Sequence, residues 1–409
     1  MKRTLLSLLC LAAAMTAGAQ QYMRIWQGGS STRVALQDIT YSASGATLTA
    51  AGRQYSTASI DSITMVHVIN VTYQGQQVTV DVGRAPGVTY TVQGGHVSVT
   101  STNVTQELEM VLQGTSTDGS FTYTGPLKCK LTLNGLTLTS TRGAAIDIQC
   151  GKRVDLILAS GTQNTLTDAA GGTQKAALYC KGHLEVEGSG SLTVSGNTRH
   201  AIASKEYLQL KKSTGTITIA RAAGDAIHVG QYLLMSGGTI RIDENTACDG
   251  IQVETMLLDD QMTPDPSKED NGKVFIKGGT IDAVIAHEDY KGLKNDAGDM
   301  TISGGNIRIL ANGNGSRGIQ TDGNLTISAD DGATNIYIEA NGAKCQDPND
   351  STDPHRCMGI KVEKNLTVTG GTTTVTNEGK KARGIKVNDT YRKTGGTVTA
   401  EVVATNIAK

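Results

Sequence analysis

Hydrophobic and polar residues alternate in short runs along most of this chain, a pattern typical of β-strands with one buried face. Among these runs, a small residue followed by an aliphatic one recurs at regular intervals. The step occurs as Ala145-Ile146, Ala177-Leu178, Ala201-Ile202, Ala226-Ile227, Gly250-Ile251, Gly292-Leu293, Gly318-Ile319, Gly359-Ile360 and Gly384-Ile385. The aliphatic positions differ by 32, 24, 25, 24, 42, 26, 41 and 25 residues, so the most frequent period is 24 to 26.

This period predicts a solenoid whose repeating unit is built from strands. No repeat carries apolar residues three and four positions apart, as a helix would. Glycine pairs such as Gly237-Gly238 and Gly304-Gly305 indicate corners, because glycine tolerates the positive φ of tight turns. We therefore predict an all-β, single-stranded parallel β-helix with about 24 residues per rung. A leucine-rich repeat is not expected, because its consensus of Leu and Asn positions is absent. A propeller is not expected either, because it would have a longer period and aromatic signatures.

The N-terminal residues have the features of a secretory signal peptide. Lys2 and Arg3 precede the apolar stretch 5–15, which is too short to span a bilayer, and Ala17-Gly18-Ala19 forms a cleavage site of the A-x-A type. We therefore predict that the chain is exported, and no later segment is predicted to cross a membrane.

The domain prediction follows from where the repeat begins. Residues 1–19 are the predicted signal peptide, 20–69 a small N-terminal β unit or cap, and 70–409 the β-helix. Alternation in 71–80 and 88–101 predicts the earliest rungs. A cap would protect the open end of the solenoid, where an exposed strand edge promotes aggregation.

Composition agrees with this fold and excludes one class of partner. Two Phe and one Trp among 409 residues leave little aromatic bulk for an ordinary core, whereas stacked aliphatic ladders need none. Lys plus Arg (37) and Asp plus Glu (38) nearly balance, so nucleic acid is not an expected partner.

The cysteines beyond the predicted signal peptide fall into two groups. Cys345 and Cys357 bracket a polar loop and are candidates for a disulfide, which an exported chain permits. Cys129, Cys150 and Cys180 lie on the apolar phase of strands and are predicted as small buried residues. No spacing of Cys or His suggests zinc.

Several segments together resemble a known family. The run ELEMVLQGTSTDGSFTYTG is followed by LTLNGLTLTSTRGAAIDIQ, DLILASGTQNTLTD and GSGSLTVSGNTRHAIASKEYLQL, and then by the GDAI and CDGI steps. These are similar to secreted bacterial carbohydrate-binding domain proteins with a polysaccharide-lyase-like β-helix. The resemblance covers roughly residues 70–400. It implies a right-handed coil, calcium on the rungs, and binding of plant-type or acidic polysaccharides without established catalysis.

The residue before each small one forms a column that the resemblance connects with calcium. Down the chain the column is His200, Asp225, Asp249, Lys291, Arg317, Met358 and Arg383. The family motif carries Asp at this position, so the resemblance implies calcium at Asp225 and Asp249. Stacked rungs would place these carboxylates about 5 Å apart, where they repel unless a proton or cation lies between them.

A second acidic column lies three residues after each aliphatic position. It contains Glu254, Asp296, Asp322 and Glu363. The first three are predicted as further calcium ligands. The alternative is that these acids are solvated or paired with nearby basic residues.

Basic residues accompany the acids in the later repeats. They are Lys291, Arg317 and Arg383 before the small residue, and Lys294, Lys361 and Lys386 after the aliphatic one. They are predicted to contact carbohydrate, with Arg binding uronate carboxylates in a bidentate manner. Neutralisation by the second acidic column is the alternative.

Candidate catalytic residues are few. A lyase needs a basic residue beside a cation-bound uronate, and Lys291 or Arg317 could serve, although the spacing does not require it. Asp225 and Asp249 alone are too few for the group of acids that a hydrolase uses. His200 and His228 fall on adjacent rungs at different phases, and each is predicted as a surface histidine.

Aromatic residues and insertions bear on the predicted sugar site. Sugar-binding sites usually present the faces of aromatic side chains, against which the apolar side of a pyranose packs. The available residues are Tyr207, Tyr232, Tyr290, Tyr337 and Tyr391, which are not expected to share one rung position or to form a strip. The insertions at 259–272 and 344–357 lie two rungs apart and are predicted to form one wall of a groove, unless they lie on opposite faces.

The sequence therefore predicts an exported, calcium-stabilised protein that binds plant cell-wall or acidic polysaccharides and is not an enzyme. One alternative is a calcium-dependent polysaccharide lyase on the same fold. The other is a surface adhesin or structural stalk, which would self-associate or bind a partner protein and would have no affinity for glycan.

Overall fold

The structure, a computed structural model, describes residues 22–36, 39–83, 85–258, 263–346 and 354–408. The predicted signal peptide lies outside the described residues. Within them nearly all regular structure is β-strand, with a 3-10 turn at Thr57–Ser59, so the predicted all-β class is confirmed. No helix in the described ranges has the length and apolarity that a membrane span requires.

The first of three parallel ladders contains the predicted small-aliphatic steps. Its strands are Gly95–Ser101, Gly119–Thr124, Ile146–Ile148, Ala176–Cys180, His200–Ser204, Ile227–Val229, Ile251–Val253, Lys291–Asn295, Arg317–Thr321, Met358–Val362, Arg383–Lys393 and Val402–Ala408. Each strand pairs in parallel with its counterpart one repeat later, and the predicted aliphatic column is in register throughout: Ile146, Leu178, Ile202, Ile227, Ile251, Leu293, Ile319, Ile360 and Ile385.

The small residue of each step points into the core together with the aliphatic one. Ala201 and Ala226 are fully buried in the main core. A Cβ on Gly318 would come within 2.5 Å of Ile338 Cγ2 and 2.7 Å of the carbonyl oxygen of Gly359. Two consecutive inward residues shift the alternation by one position, so the residues before and after the pair both face outward.

The second ladder follows the first around each repeat. Its strands are Ser62–Gln74, Leu108–Ser116, Cys129–Thr139, Val154–Leu158, Leu184–Glu187, Leu208–Leu210, Leu233–Met235, Val274–Ile285, Met300–Ala311, Leu325–Ile327 and Leu366–Val368, continued by the end of Arg383–Lys393.

The third ladder completes the repeat. It comprises the second halves of Cys129–Thr139, Val274–Ile285 and Met300–Ala311, together with Gln163–Thr167, Ser191–Gly196, Thr216–Ala222, Thr239–Ile242, Thr334–Ala340, Thr372–Thr376 and Thr397–Thr399. Aliphatic side chains of all three ladders fill one continuous core.

The N-terminal part is antiparallel. Tyr22–Gln27 pairs with Ser30–Ala35 and with the start of Ser62–Gln74, which crosses position 69 and continues into the second ladder. A separate sheet contains Ile39–Tyr41, Thr47–Ala50 and Arg53–Ser56. A small core that includes Met23, Ile25, Val34, Leu48 and Tyr55 joins these strands.

The predicted earliest rungs, 71–80 and 88–101, are instead antiparallel hairpins. The end of Ser62–Gln74 pairs with Gln77–Asp81, and Val88–Gln93 pairs with Gly95–Ser101. One strand of each hairpin belongs to a parallel ladder. Alternation alone does not distinguish the two arrangements, because the side-chain period is two in both.

The two insertions lie at different corners, so the prediction of a single groove wall is wrong. The first joins Ile251–Val253 of the first ladder to Val274–Ile285 of the second. The second joins Thr334–Ala340 of the third ladder to Met358–Val362 of the first. They therefore flank opposite edges of the first ladder.

The six cysteines within the described ranges are free thiols. Cys129, Cys150 and Cys180 are buried, as predicted. Cys345 and Cys357 are buried but unbonded, so the candidate disulfide is absent from this structure. The Cys357 thiol instead points to the carbonyl of Ala311 at 3.4 Å.

Candidate functional site

The outward surface of the first ladder, which we call the first-ladder face, contains all the predicted site residues. Three positions of each repeat lie on it: the residue before the small-aliphatic pair, the residue after the pair, and the residue two further on. The structure thereby brings onto one surface Asp225, Asp249, Glu254, Lys291, Lys294, Asp296, Arg317, Asp322, Lys361, Arg383 and Lys386.

A histidine–aspartate cluster lies at the N-terminal end of this group. Oδ2 of Asp225 lies 2.9 Å from Nδ1 of His228 and 3.3 Å from Nδ1 of His200. The two imidazole rings stack with their centroids 4.3 Å apart. The other carboxylate oxygen of Asp225 accepts the backbone N–H of Asp249 at 3.1 Å.

The prediction of two surface histidines at different phases is therefore wrong. The side chains of His200 and His228 are 2% and 12% exposed. The inward small-aliphatic pair turns the residue before it and the residue after it to the same side. His200 of one repeat and His228 of the next thus meet on the first-ladder face.

The two imidazoles have opposite pKa shifts. Burial, together with the charge of the neighbouring His228, lowers the pKa of His200 to about 4. Burial also acts to lower the pKa of His228, but hydrogen bonds with Asp225 and Glu254 outweigh it and raise the pKa to about 9. At neutral pH one histidine is thus neutral and the other cationic.

The donor set around Asp225 and Asp249 does not suit calcium. One oxygen of Asp249 accepts the backbone N–H of Lys291 at 2.7 Å, and the other lies 4.0 Å from the ammonium of Lys294. Burial raises the pKa of Asp249 to about 6. Calcium takes six to eight oxygen ligands, whereas imidazole nitrogens and an ammonium group surround these carboxylates.

The second acidic column is partly neutralised. Nζ of Lys294 lies 2.9 Å from Asp296, whose other oxygen accepts the amide of Gln252 at 3.2 Å. Asp322 accepts the amide of Gln320 at 3.4 Å. Burial raises the pKa of Asp322, and the carboxylates of neighbouring repeats add to the effect. Calcium at Glu254, Asp296 and Asp322 stays a prediction.

The basic residues of the first-ladder face differ in whether they form ion pairs or hydrogen bonds with other side chains. Lys361 pairs with Glu363. The buried Arg317 donates to Gln320 Oε1 at 2.7 Å and lies 3.8 Å from Asp289, which also lies near Lys291. For Arg383 and Lys386, which are partly exposed, no ion pair occurs with the residues that the structure describes.

Aromatic rings form a column that the sequence analysis missed. His183, Tyr207 and Tyr232 each precede the first aliphatic residue of a second-ladder strand, and these strands are in register. The rings stack at centroid distances of 4.2 and 4.7 Å. The expectation that Tyr207 and Tyr232 do not share a rung position is therefore wrong. The shared motif, an aromatic residue before Leu, was the available signal.

A cavity opens at the His183 end of this ring column. Its volume is about 370 Å³, and it is lined by Leu127, Lys128, Lys152, Arg153, His183 and Tyr207. We call it the ring-column cavity.

The first insertion is anchored beside the ring column. Lys268 of this insertion pairs with Glu206 at 3.1 Å, and Gln231 donates to the carbonyl of Glu269 at 2.7 Å. Glu206 also contacts Nε2 of His183, so the first insertion is anchored to a residue that holds the ring column in place.

Parts of this chain are similar to known proteins. A model of the carbohydrate-binding domain-containing protein family matches residues 93–404. A protein of this name from Acetivibrio thermocellus is 29% identical over 138 residues, which cover 31% of this chain and 48% of the relative. The match thus spans about half of that relative.

A solved structure is similar as well. It is a gadolinium derivative of a polysaccharide lyase-like protein from C. thermocellum, with a TM-score of 0.52 and 22% sequence identity, covering 66% of this chain and 99% of that chain. At this identity the likeness shows the fold alone.

Proposed function

Because this chain belongs to the carbohydrate-binding domain-containing protein family, we propose that it is an exported protein that binds acidic polysaccharides, such as those of plant cell walls, without cleaving them. The observation that carries this proposal is the ring-column cavity, where aromatic rings and three basic side chains meet in one open concavity.

The chemistry of the cavity suits a uronate residue. A pyranose ring packs its apolar side against an aromatic face. The cations of Lys128, Lys152 and Arg153 surround the position that such a ring would occupy, where a sugar carboxylate would find charge-assisted hydrogen bonds. Lys128 lies 2.9 Å from Glu107 and Arg153 lies 3.3 Å from Asp155, so these two cations would exchange a protein carboxylate for that of the sugar. A neutral glycan would use the ring face alone.

The first-ladder face supplies a second region for the same polymer. Its basic residues occupy four successive repeats, with one or two in each: Lys291 and Lys294, Arg317, Lys361, and Arg383 and Lys386. A polysaccharide likewise presents its uronates at successive positions. Arg383 and Lys386 are the strongest candidates for contact, because neither is neutralised by a described neighbour. The other four would have to exchange protein partners for the glycan.

A non-catalytic role agrees with the state of the candidate bases. Lys291 has a pKa lowered by burial, as a catalytic base would need. Its side chain is only 12% exposed, however, and its ammonium group is held by Asp289. Arg317 is also buried and engaged.

We also propose that the three ladders coil as a right-handed parallel β-helix. Its support is the register, in which every strand meets its counterpart one repeat later. Calcium is proposed only for the second acidic column, at Glu254, Asp296 and Asp322, where stacked carboxylates would gain from a bridging cation.

Affinity electrophoresis tests the function. The chain is run through gels that contain polygalacturonate, alginate, xylan or cellulose derivatives, each with calcium and with a chelator. Retardation by the acidic glycans alone is expected, and loss of retardation with chelator would support the calcium ligands.

Matched variants and an activity assay complete this test. Replacing Arg383 and Lys386 by Gln should weaken retention, whereas Lys212→Gln removes an exposed charge elsewhere and should not. If the protein is a lyase, it should release unsaturated uronates, which are detected by their ultraviolet absorbance. No retention by any glycan would favour the adhesin or stalk.

A further inference from the structure

We propose that His200, Asp225 and His228 bind one divalent transition-metal ion, such as Zn²⁺ or Co²⁺, in place of the calcium that the family resemblance implies. One ligand atom from each residue lies within 4.8 Å of the other two. This inference is independent of glycan binding.

Two of the three spacings between donor atoms are close to those of a metal's ligand shell, and the third is at most 4.8 Å. Oδ2 of Asp225 lies 2.9 Å from Nδ1 of His228 and 3.3 Å from Nδ1 of His200. With metal–ligand bonds of about 2.1 Å, neighbouring ligands are separated by about 3.0 Å in octahedral and about 3.4 Å in tetrahedral geometry. An ion could therefore enter with small movements of the side chains, and it would displace the proton that lies between Nδ1 of His228 and Oδ2 of Asp225.

The surrounding groups orient these donors. Glu254 Oε2 lies 3.4 Å from Nε2 of His228, on the ring edge away from Asp225. A carboxylate behind a histidine is the usual support for a metal-binding imidazole. On Asp225, the N–H of Asp249 occupies Oδ1 and leaves Oδ2 for the ion.

His200 provides a second, independent indication. It is 2% exposed, and its Nε2 has no hydrogen-bond partner among the described residues. Its Nδ1 accepts only the backbone N–H of Asp225, at 3.1 Å. A buried imidazole that is incompletely satisfied is costly. Nδ1 is the nitrogen beside Asp225 Oδ2, so the ion would replace the N–H of Asp225 at Nδ1, and Nε2 would carry the ring proton.

The donor types determine the class of ion. Two imidazole nitrogens and one carboxylate oxygen suit zinc, cobalt, nickel or copper, whereas calcium binds oxygen ligands. Neighbouring Lys294 and Lys291 lie on the Asp249 side of the cluster and would further oppose a site built from hard carboxylates.

Equilibrium dialysis tests the proposal directly. The full chain, without a polyhistidine tag, is stripped with chelator and dialysed against Co²⁺ or Zn²⁺. We expect one ion per chain, and excess Ca²⁺ should not displace it. His200→Gln, His228→Gln and Asp225→Asn should each weaken binding at least tenfold, whereas His287→Gln, which removes an exposed histidine, should not. Absence of stoichiometric binding, or binding that survives all three substitutions, would overturn the proposal.

A second measurement needs no variant and so is insensitive to misfolding. In the Cu²⁺-loaded wild-type chain, electron paramagnetic resonance should detect nitrogen coupling from two imidazoles. A spectrum with oxygen ligands alone would contradict the site.

Discussion

At the scale of single residues, the small member of each repeated pair determines where the functional groups lie. Because it points inward beside the aliphatic residue, the flanking residues face outward together. The sequence predicted the pair and its period correctly. It did not predict that the residues before and after the pair face the same side. Two consecutive inward residues break the strict alternation of inward and outward side chains that the sequence analysis assumed.

Gly318→Ala tests the steric role of the small residue. The new Cβ would lie 2.5 Å from Ile338 Cγ2, so we expect a loss of about 1–3 kcal/mol in the free energy of unfolding. Gly151→Ala is the control, since nothing lies within 4 Å of its Cβ position. Urea denaturation measures both, and equal midpoints for the two variants would refute an inward orientation at Gly318.

Glu185 gives a prediction of pH dependence. Its side chain is 8% exposed and accepts Lys211 at 2.8 Å and the Tyr207 hydroxyl at 2.7 Å. Burial alone would raise the pKa of Glu185, but these hydrogen bonds lower it below 4.5. The ionised carboxylate therefore stabilises the fold above its ordinary pKa, and this contribution is lost as the pH falls through the folded pKa.

The substitution Glu185→Gln should therefore destabilise the protein by about 1–3 kcal/mol at pH 7. The difference from wild type should shrink as the pH falls below about 4.5. Glu187→Gln, at a more exposed position 3.7 Å from Lys211, should have a smaller effect. Unfolding curves between pH 7 and pH 3 measure the difference, and a difference independent of pH would contradict the pairing.

At the scale of elements, the first ladder was predictable and the second much less so. The small-aliphatic step marks each first-ladder strand in the sequence, so its register could be written down in advance. The second ladder has no such mark, and the shared position of His183, Tyr207 and Tyr232 was missed. The position of an insertion depends on which two ladders it connects, and the spacing of the repeats along the sequence does not identify those ladders.

The ring column should contribute to glycan binding. Tyr207→Ala removes a lining residue of the cavity and the stacking partner of His183. We expect affinity for polygalacturonate to fall about fivefold or more, since an aromatic contact contributes about 1 kcal/mol. Tyr337→Ala, on an exposed part of the third ladder, should have no effect. If both variants were retarded like wild type, the cavity would not be the sugar site.

At the scale of the whole molecule, charge is distributed as local clusters on a nearly neutral chain. The formal net charge is -1, so long-range attraction cannot select an acidic glycan. In the proposed function, selection would come from close contact with the ring-column cavity and with Arg383 and Lys386 on the first-ladder face. Such contacts weaken as salt rises, because about 0.1 M salt screens exposed charges beyond about 10 Å.

The most direct measurement is calorimetric titration of a homogeneous oligogalacturonate into the chain, beside a neutral oligosaccharide of equal length. The account predicts saturable binding of the acidic oligomer only. Its affinity should fall with added salt and with Lys152→Gln and Arg153→Gln, and the oligomer should be recovered intact. Equal affinity for the neutral oligomer, or no binding of either by the folded chain, would contradict the assignment of acidic polysaccharide binding.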